Sequence, residues 1–243
     1  MPILCYHSID DNWESPLALR SDDFIQQCEW LSRNRTLVDL ETAAGVMNRA
    51  GRMPRRTVAV TLDDGFADNY EIALPVLQRY GIPATVFVVA ETIRHGQEVD
   101  WVDDAPATGL RTLDREQILE MAAAGISIGS HSLRHRVLTE LSAEECVEDL
   151  RESREILEDL LGKPVPHLAY PRGRHDAKVR AASAEAGYKW SFSLPQSIEP
   201  ITPHALPRVG VFRENDLTRF RMKLSEWYLP ARTSAFYRRL AGK

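Results

Sequence analysis

The chain has 243 residues, 44% of them apolar and 27% charged, with a formal net charge of −5. That composition is ordinary for a globular protein with a full core, and the length suits a single α/β barrel. The lack of a basic excess argues against a nucleic-acid partner, and no apolar run is long enough to cross a bilayer. The three cysteines, Cys5, Cys28 and Cys146, form no CxxC pair and no disulfide framework, so they read as buried free thiols in a reducing compartment. The opening Met-Pro-Ile-Leu-Cys-Tyr-His shows no basic stretch followed by an apolar one. The expected location is therefore cytoplasmic, although a chain trimmed of a leader would read the same.

Strand-like and helix-like segments alternate along the chain. Apolar, β-branched runs fall at residues 3–6, 58–62, 85–89, 126–128, 167–170, 190–194 and 207–211, with a weaker candidate at 36–38. Ser21 reads as the N-cap of a helix that places Phe24, Cys28 and Leu31 on one face. Further helices are expected over 40–50, 69–80, 114–124, 177–186 and 215–228, with Pro75 a kink in the second of these. Ser142-Ala143-Glu144-Glu145 is a capping box opening a helix that runs to about Leu161 and is closed by Gly162 and Pro164. Residues 91–111 hold Trp101 and two glycines but no clear element, and read as a long binding loop or lid. Repeated β-α alternation predicts a distorted (β/α) barrel of seven or eight parallel strands over 1–243, with 215–243 as a C-terminal helical extension.

Four sequence features carry chemistry. Thr61-Leu62-Asp63-Asp64-Gly65 follows a strand, and its adjacent carboxylates point different ways: one can bind a metal while the other holds a water. Asp-Asp-Gly is also good turn chemistry. In His131-Ser132-Leu133-Arg134-His135 the two imidazoles, four residues apart, lie on one side of a helical turn and can reach one metal; a surface pair is the duller reading. His7 ends the first strand and could act as an acid or base, or simply line the rim. Ala169-Tyr170-Pro171-Arg172-Gly173 builds a turn after another strand. All of these sit at C-terminal strand ends, which converge on one mouth in a parallel barrel.

These residues resemble the polysaccharide deacetylase family (carbohydrate esterase family four, the NodB-homology domain). Its T-F-D-D-G motif is similar to residues 61–65, its H-S/T-x-x-H motif to 131–135, and its third motif to 168–173; the resemblance spans roughly residues 1–211. It implies Asp63 as general base and Asp64, His131 and His135 as ligands of zinc or another divalent first-row metal. The family's C-terminal L-x-H motif is absent. Leu4-Cys5-Tyr6-His7 instead resembles a circularly permuted branch that includes the poly-N-acetylglucosamine deacetylases, which implies His7 as the acid. Many members carry an arginine where Ala169 stands, and Arg208 or Arg172 could replace it; Arg208 is preferred.

The implied activity is removal of N-acetyl groups from an amino-sugar glycan. A backbone N–H near Tyr170 would help to stabilise the oxyanion, and Tyr170, Pro171, Trp101 and Trp190 would contact sugar. Alternatives are deformylation of a lipid-linked sugar, hydrolysis of a non-sugar amide, or a non-catalytic glycan-binding barrel. The stretch 219–243 is basic and amphipathic, and suits either an anionic membrane surface or a helix packed on the barrel.

Overall fold

The computed structural model describes residues 2–95, 99–106, 109–195, 197 and 199–234. Its strands are β1 (Ile3–Tyr6), β2 (Ser8–Ile9), β3 (Ala18–Leu19), β4 (Thr36–Leu37), β5 (Thr57–Leu62), β6 (Ala84–Val88), β7 (Ser127–Ser130), β8 (His167–Ala169), β9 (Trp190–Ser193) and β10 (Leu206–Gly210). The α-helices are α1 (Ser21–Asn34), α2 (Leu40–Ala50), α3 (Leu74–Tyr80), α4 (Thr92–His95), α5 (Arg115–Ala123), α6 (Ala143–Leu161), α7 (Ala177–Glu185), α8 (Leu217–Lys223) and α9 (Tyr228–Thr233).

Seven parallel strands close into a barrel in the order β1, β5, β6, β7, β8, β9, β10, and β10 returns to β1. β4 pairs with the start of β5 outside the closure, while β2 and β3 form a separate short parallel pair. Side chains alternate across each strand, and the cores divide accordingly. Leu4, Tyr6, Val58, Val60, Leu62, Val86 and Val88 face outward into the helical layer. Ile3, Ala59, Phe87, Phe192 and Leu206 fill the barrel's lower interior. α2 closes that end, adding Leu40, Ala43, Ala44 and Met47 to the same cluster. Gly129 is demanded by this filling, because a Cβ there would sit 2.5 Å from the Phe87 ring. With the lower end plugged, only the upper end remains open for a site.

Most elements fall where the patterning places them, and α6 has the expected capping box on Ser142 and a left-handed Gly162 at its end. Four expectations need correction. Ser21 is the first residue of α1 and not its cap; its N–H and hydroxyl both donate to Asp11. The helix expected over 69–80 begins as a π-helical turn, Asn69–Ala73, and Pro75 stands in the first turn of α3, directly after it. The helix expected over 215–228 ends at Lys223, and α9 is a second, separate helix. Residues 91–111 contain α4 and are less bare than their composition suggests. Within 215–243, residues 235–243 lie outside the described residues.

Candidate active site

Three side chains from two strand ends meet above the plug. Asp64 Oδ1 lies 3.4 Å from His131 Nε2 and 3.2 Å from His135 Nε2, and all three residues are buried. The backbone is bent to bring them there. Asp64 follows β5 with φ +69°, which turns its carboxylate away from that of Asp63; aspartate tolerates this left-handed conformation better than most residues. Residues 131–135 are not helical, contrary to the i, i+4 expectation. Ser132 (φ +68°) and His135 (φ +56°) are both left-handed, and the Ser132 hydroxyl accepts the His135 N–H at 3.0 Å. Asp149 on α6 accepts the Leu133 N–H at 2.9 Å and pins the loop from behind. Of the five non-glycine residues with positive φ among the described residues, four belong to this end of the barrel: Asp64, Ser132, His135 and Arg172. Strained backbone concentrates where side chains must converge.

The donor set fits a divalent metal. The His131 Nδ1–H donates to the Ala169 carbonyl at 2.8 Å, so Nε2 keeps its lone pair towards Asp64. Asp64 Oδ1 is buried without a hydrogen bond, although two imidazole nitrogens stand beside it. One carboxylate and two imidazoles form a donor set suited to zinc or a similar first-row ion, leaving coordination positions for water and substrate. Burial works to raise the Asp64 pKa, yet His131 and His135 hold it well below the usual carboxylate range. For His131, burial opposes the charged form, but Asp63 and Asp64 lift its pKa above the ordinary imidazole value. Burial lowers that of His135.

Asp63 occupies a different environment. Its Oδ1 and Oδ2 accept from Arg208 Nη1 and Nη2, each at 2.6 Å, and the Cys5 thiol donates to Oδ2 at 3.3 Å. Arg208 Nη1 also donates to Thr61 Oγ1 at 3.0 Å. Burial would raise the Asp63 pKa, but the Arg208 guanidinium keeps it below the normal value. His7 is buried nearby, stacked on Phe212 with ring centroids 6.1 Å apart, and its Nδ1 has no partner. Its pKa is lowered by burial, against the pull of Asp64 and Asp63.

These groups line one open cavity of about 630 Å³. Trp101 forms part of its wall, stacked on His135 at 5.0 Å, and Arg172 Nη2 donates to the Trp101 carbonyl at 3.3 Å. The loop that carries Trp101 is tied down by Trp13, whose indole N–H donates to the Asp104 carbonyl at 2.7 Å. Leu194, Phe212, Tyr228, Leu229 and Arg232 complete the far side.

Three of the four residues expected to touch sugar lie elsewhere. Tyr170 continues the outward phase of β8, packs with Leu150, Leu168 and Val179, and donates its hydroxyl to the His204 carbonyl at 3.0 Å. Pro171 is buried and does not line the cavity, which Arg172 and Gly173 do. Trp190 opens β9 at the plugged end, where its indole N–H donates to Glu41 at 3.0 Å. The Tyr170 N–H is taken by the Phe192 carbonyl at 3.0 Å and Pro171 has none, so neither serves an oxyanion. Conversely, Cys5, expected only as a buried thiol, joins the site through Asp63. The period-2 phase of β1 signals more, since Ile3, Cys5 and His7 share the inward face. The contribution of α9 to the wall had no sequence signal beyond its amphipathic pattern.

A family model described as polysaccharide deacetylase matches residues 50–191. YxkH of Bacillus subtilis, which carries the name of a polysaccharide deacetylase, is 30% identical over 191 residues, covering 78% of this chain and 62% of that protein. The poly-beta-1,6-N-acetyl-D-glucosamine N-deacetylase of Staphylococcus aureus is 25% identical over 206 residues, 79% of this chain and 67% of that one. The chain thus spans about two thirds or less of the length of these relatives. Among solved structures, a Bacillus anthracis protein described as a polysaccharide deacetylase superposes with a TM-score of 0.74 at 27% identity, covering 92% of this chain and 68% of that one. The Streptococcus pyogenes deacetylase PplD, solved with acetate, gives 0.78 at 22% identity over 93% and 98% of the two chains, a likeness of fold.

Proposed function

This chain belongs to the polysaccharide deacetylase family, and we propose that it hydrolyses N-acetyl groups on an amino-sugar glycan, with Asp63 as base, His7 as acid and a divalent cation on Asp64, His131 and His135. One observation carries the reading. A carboxylate locked by Arg208 and a buried imidazole line the same cavity as three inward-facing metal donors.

An amide is a poor electrophile, and its amine leaves only when protonated. When bound, the cation supplies Lewis acidity, polarising the acyl oxygen and making water more acidic. Asp63 takes the proton from the attacking water. Arg208 fixes the angle at which the carboxylate presents itself, and its fork shape prevents rotation. His7 delivers a proton to the leaving nitrogen. Trp101 excludes water from one side of the cavity and offers an aromatic face to a sugar ring. The likeness to a poly-beta-1,6-N-acetyl-D-glucosamine N-deacetylase makes polymers of N-acetylglucosamine the first substrates to try.

Acetate release from β-1,6-linked N-acetylglucosamine oligomers, followed with added zinc and after chelation, tests the proposal. Metal-dependent acetate release is the expected result. Metal binding without turnover on any N-acyl sugar would instead leave a glycan-binding barrel.

A further inference from the structure

Three arginines crowd one flank of the barrel. Arg35 directly precedes β4, Arg56 directly precedes β5, and Arg221 lies on α8. The Arg35 guanidinium sits over the Trp30 ring at 4.4 Å, and that of Arg221 over the same ring at 5.5 Å. Arg35 Nη1 donates to the Asn34 carbonyl at 2.9 Å, and Arg56 Nε and Nη2 reach that same oxygen at 3.4 and 3.3 Å. The neighbouring Arg33 and Arg55 are paired with Glu29 and Glu226. Among the described residues, Arg35, Arg56 and Arg221 have no carboxylate within ion-pair distance, and Arg35 Nε is buried without a partner. Arg56 is moreover held at φ +66°, among the described residues the one left-handed side-chain-bearing residue away from the active-site end. Burial, with Arg56 and Arg221 close by, lowers the pKa of Arg35. Like charges gathered without a counter-charge repel one another, and an anion would relieve the repulsion.

Two exposed apolar side chains adjoin the cluster. Met222, 50% exposed, follows Arg221 in sequence, and Trp227 is 58% exposed. The Glu226–Arg55 ion pair, at 3.2 Å, joins the chain beside Trp227 to the chain beside Arg56. A small anion would satisfy the guanidiniums but leave the indole and the thioether in water. A bilayer offers both environments, phosphate headgroups for the arginines and the interfacial layer for tryptophan. We propose that this face docks the protein on an anionic lipid bilayer. Arg35 and Arg56 stand at strand starts, whereas the catalytic groups follow the opposite strand ends, and α9, next to Trp227, reaches the cavity wall.

Flotation of the full chain with phosphatidylcholine vesicles, with and without phosphatidylglycerol, tests this independently of any enzymatic activity. Binding is expected only with phosphatidylglycerol and should weaken as salt rises. Arg56→Gln/Arg221→Gln, two exposed positions, should weaken it by about fivefold for each arginine removed, with the thermal transition unchanged. Trp227→Ser should weaken it further. Failure to float with anionic vesicles, or equal binding by the double variant, would overturn the proposal. So would displacement by inorganic phosphate at a concentration matching the lipid phosphate, which would assign the arginines to a small anion.

Discussion

Arg208 meets Asp63 fork to fork, Nη1 on Oδ1 and Nη2 on Oδ2, both at 2.6 Å. Both residues are almost fully buried, so the pair is a fixed geometric element. Arg208→Lys keeps the charge but cannot offer two parallel donors. Turnover should fall by about a hundredfold, the scale of loss expected when a catalytic group is slightly misplaced, while bound metal is retained. Arg208→Met should cost about 3–5 kcal/mol of stability, because it leaves a buried carboxylate unpaired. Steady-state kinetics with metal analysis test the first variant and thermal unfolding the second. A lysine variant with the parent kcat would remove the positioning role.

The two adjacent carboxylates should separate by function. Asp64→Ala and His131→Ala should lose both bound metal and turnover. Asp63→Asn should keep the metal and lose turnover by a factor of about 10² to 10⁴, as for loss of general base catalysis. Elemental analysis of dialysed protein beside acetate release reads both effects. A fully active Asp63→Asn enzyme would refute the base assignment.

His7 should matter in proportion to how badly the leaving group needs a proton. His7→Ala should lower kcat on an N-acetyl sugar by about 10² or more, with little change in metal affinity. On an aryl acetate, whose phenolate leaves unprotonated, the same variant should stay close to the parent. Equal losses on both substrates would place His7 in a role other than proton donation.

Asp68 should give the fold an acid-side stability profile. It accepts from the Ser8 hydroxyl at 2.7 Å, the Ile9 N–H at 2.9 Å and the Asn69 amide at 2.8 Å, and burial raises its pKa to about 6. The folded value lies above the unfolded one, so the folded state binds more protons between the two. Stability is therefore full below the unfolded pKa and declines as pH rises towards the folded one. Asp68→Asn keeps an oxygen for the Ile9 N–H and should remove that decline. Relative to the parent, it should gain about 2 kcal/mol between about pH 4 and pH 8. Chemical denaturation at the two pH values measures this, and a constant difference would contradict it.

Much of the barrel is legible in the sequence because burial on both faces of parallel strands leaves short apolar runs, and capping residues mark helix starts. The helix break after Lys223 was not, because it depends on tertiary contacts: Lys223 Nζ reaches the Gly210 carbonyl and the Asn215 side chain, tying α8 back to the barrel end. Ser21 misled as a cap because Asp11, ten residues away, takes both of its donors. Trp190 misled because an aromatic on a late strand says nothing about which end of that strand it occupies.

By itself, the sequence determined which residues could do chemistry and that they stand at strand ends, since motif and period-2 pattern are both local properties of the chain. Only the closed barrel decided which of them meet. Pairing of β1 with β5 sets Tyr6 beside Leu62 and so brings His7 to the end of the barrel that holds Asp63. Pairing of β10 with β1 brings Arg208 inside to reach the same carboxylate. Register between strands far apart in the chain is fixed by packing around a filled interior, and no local pattern encodes it.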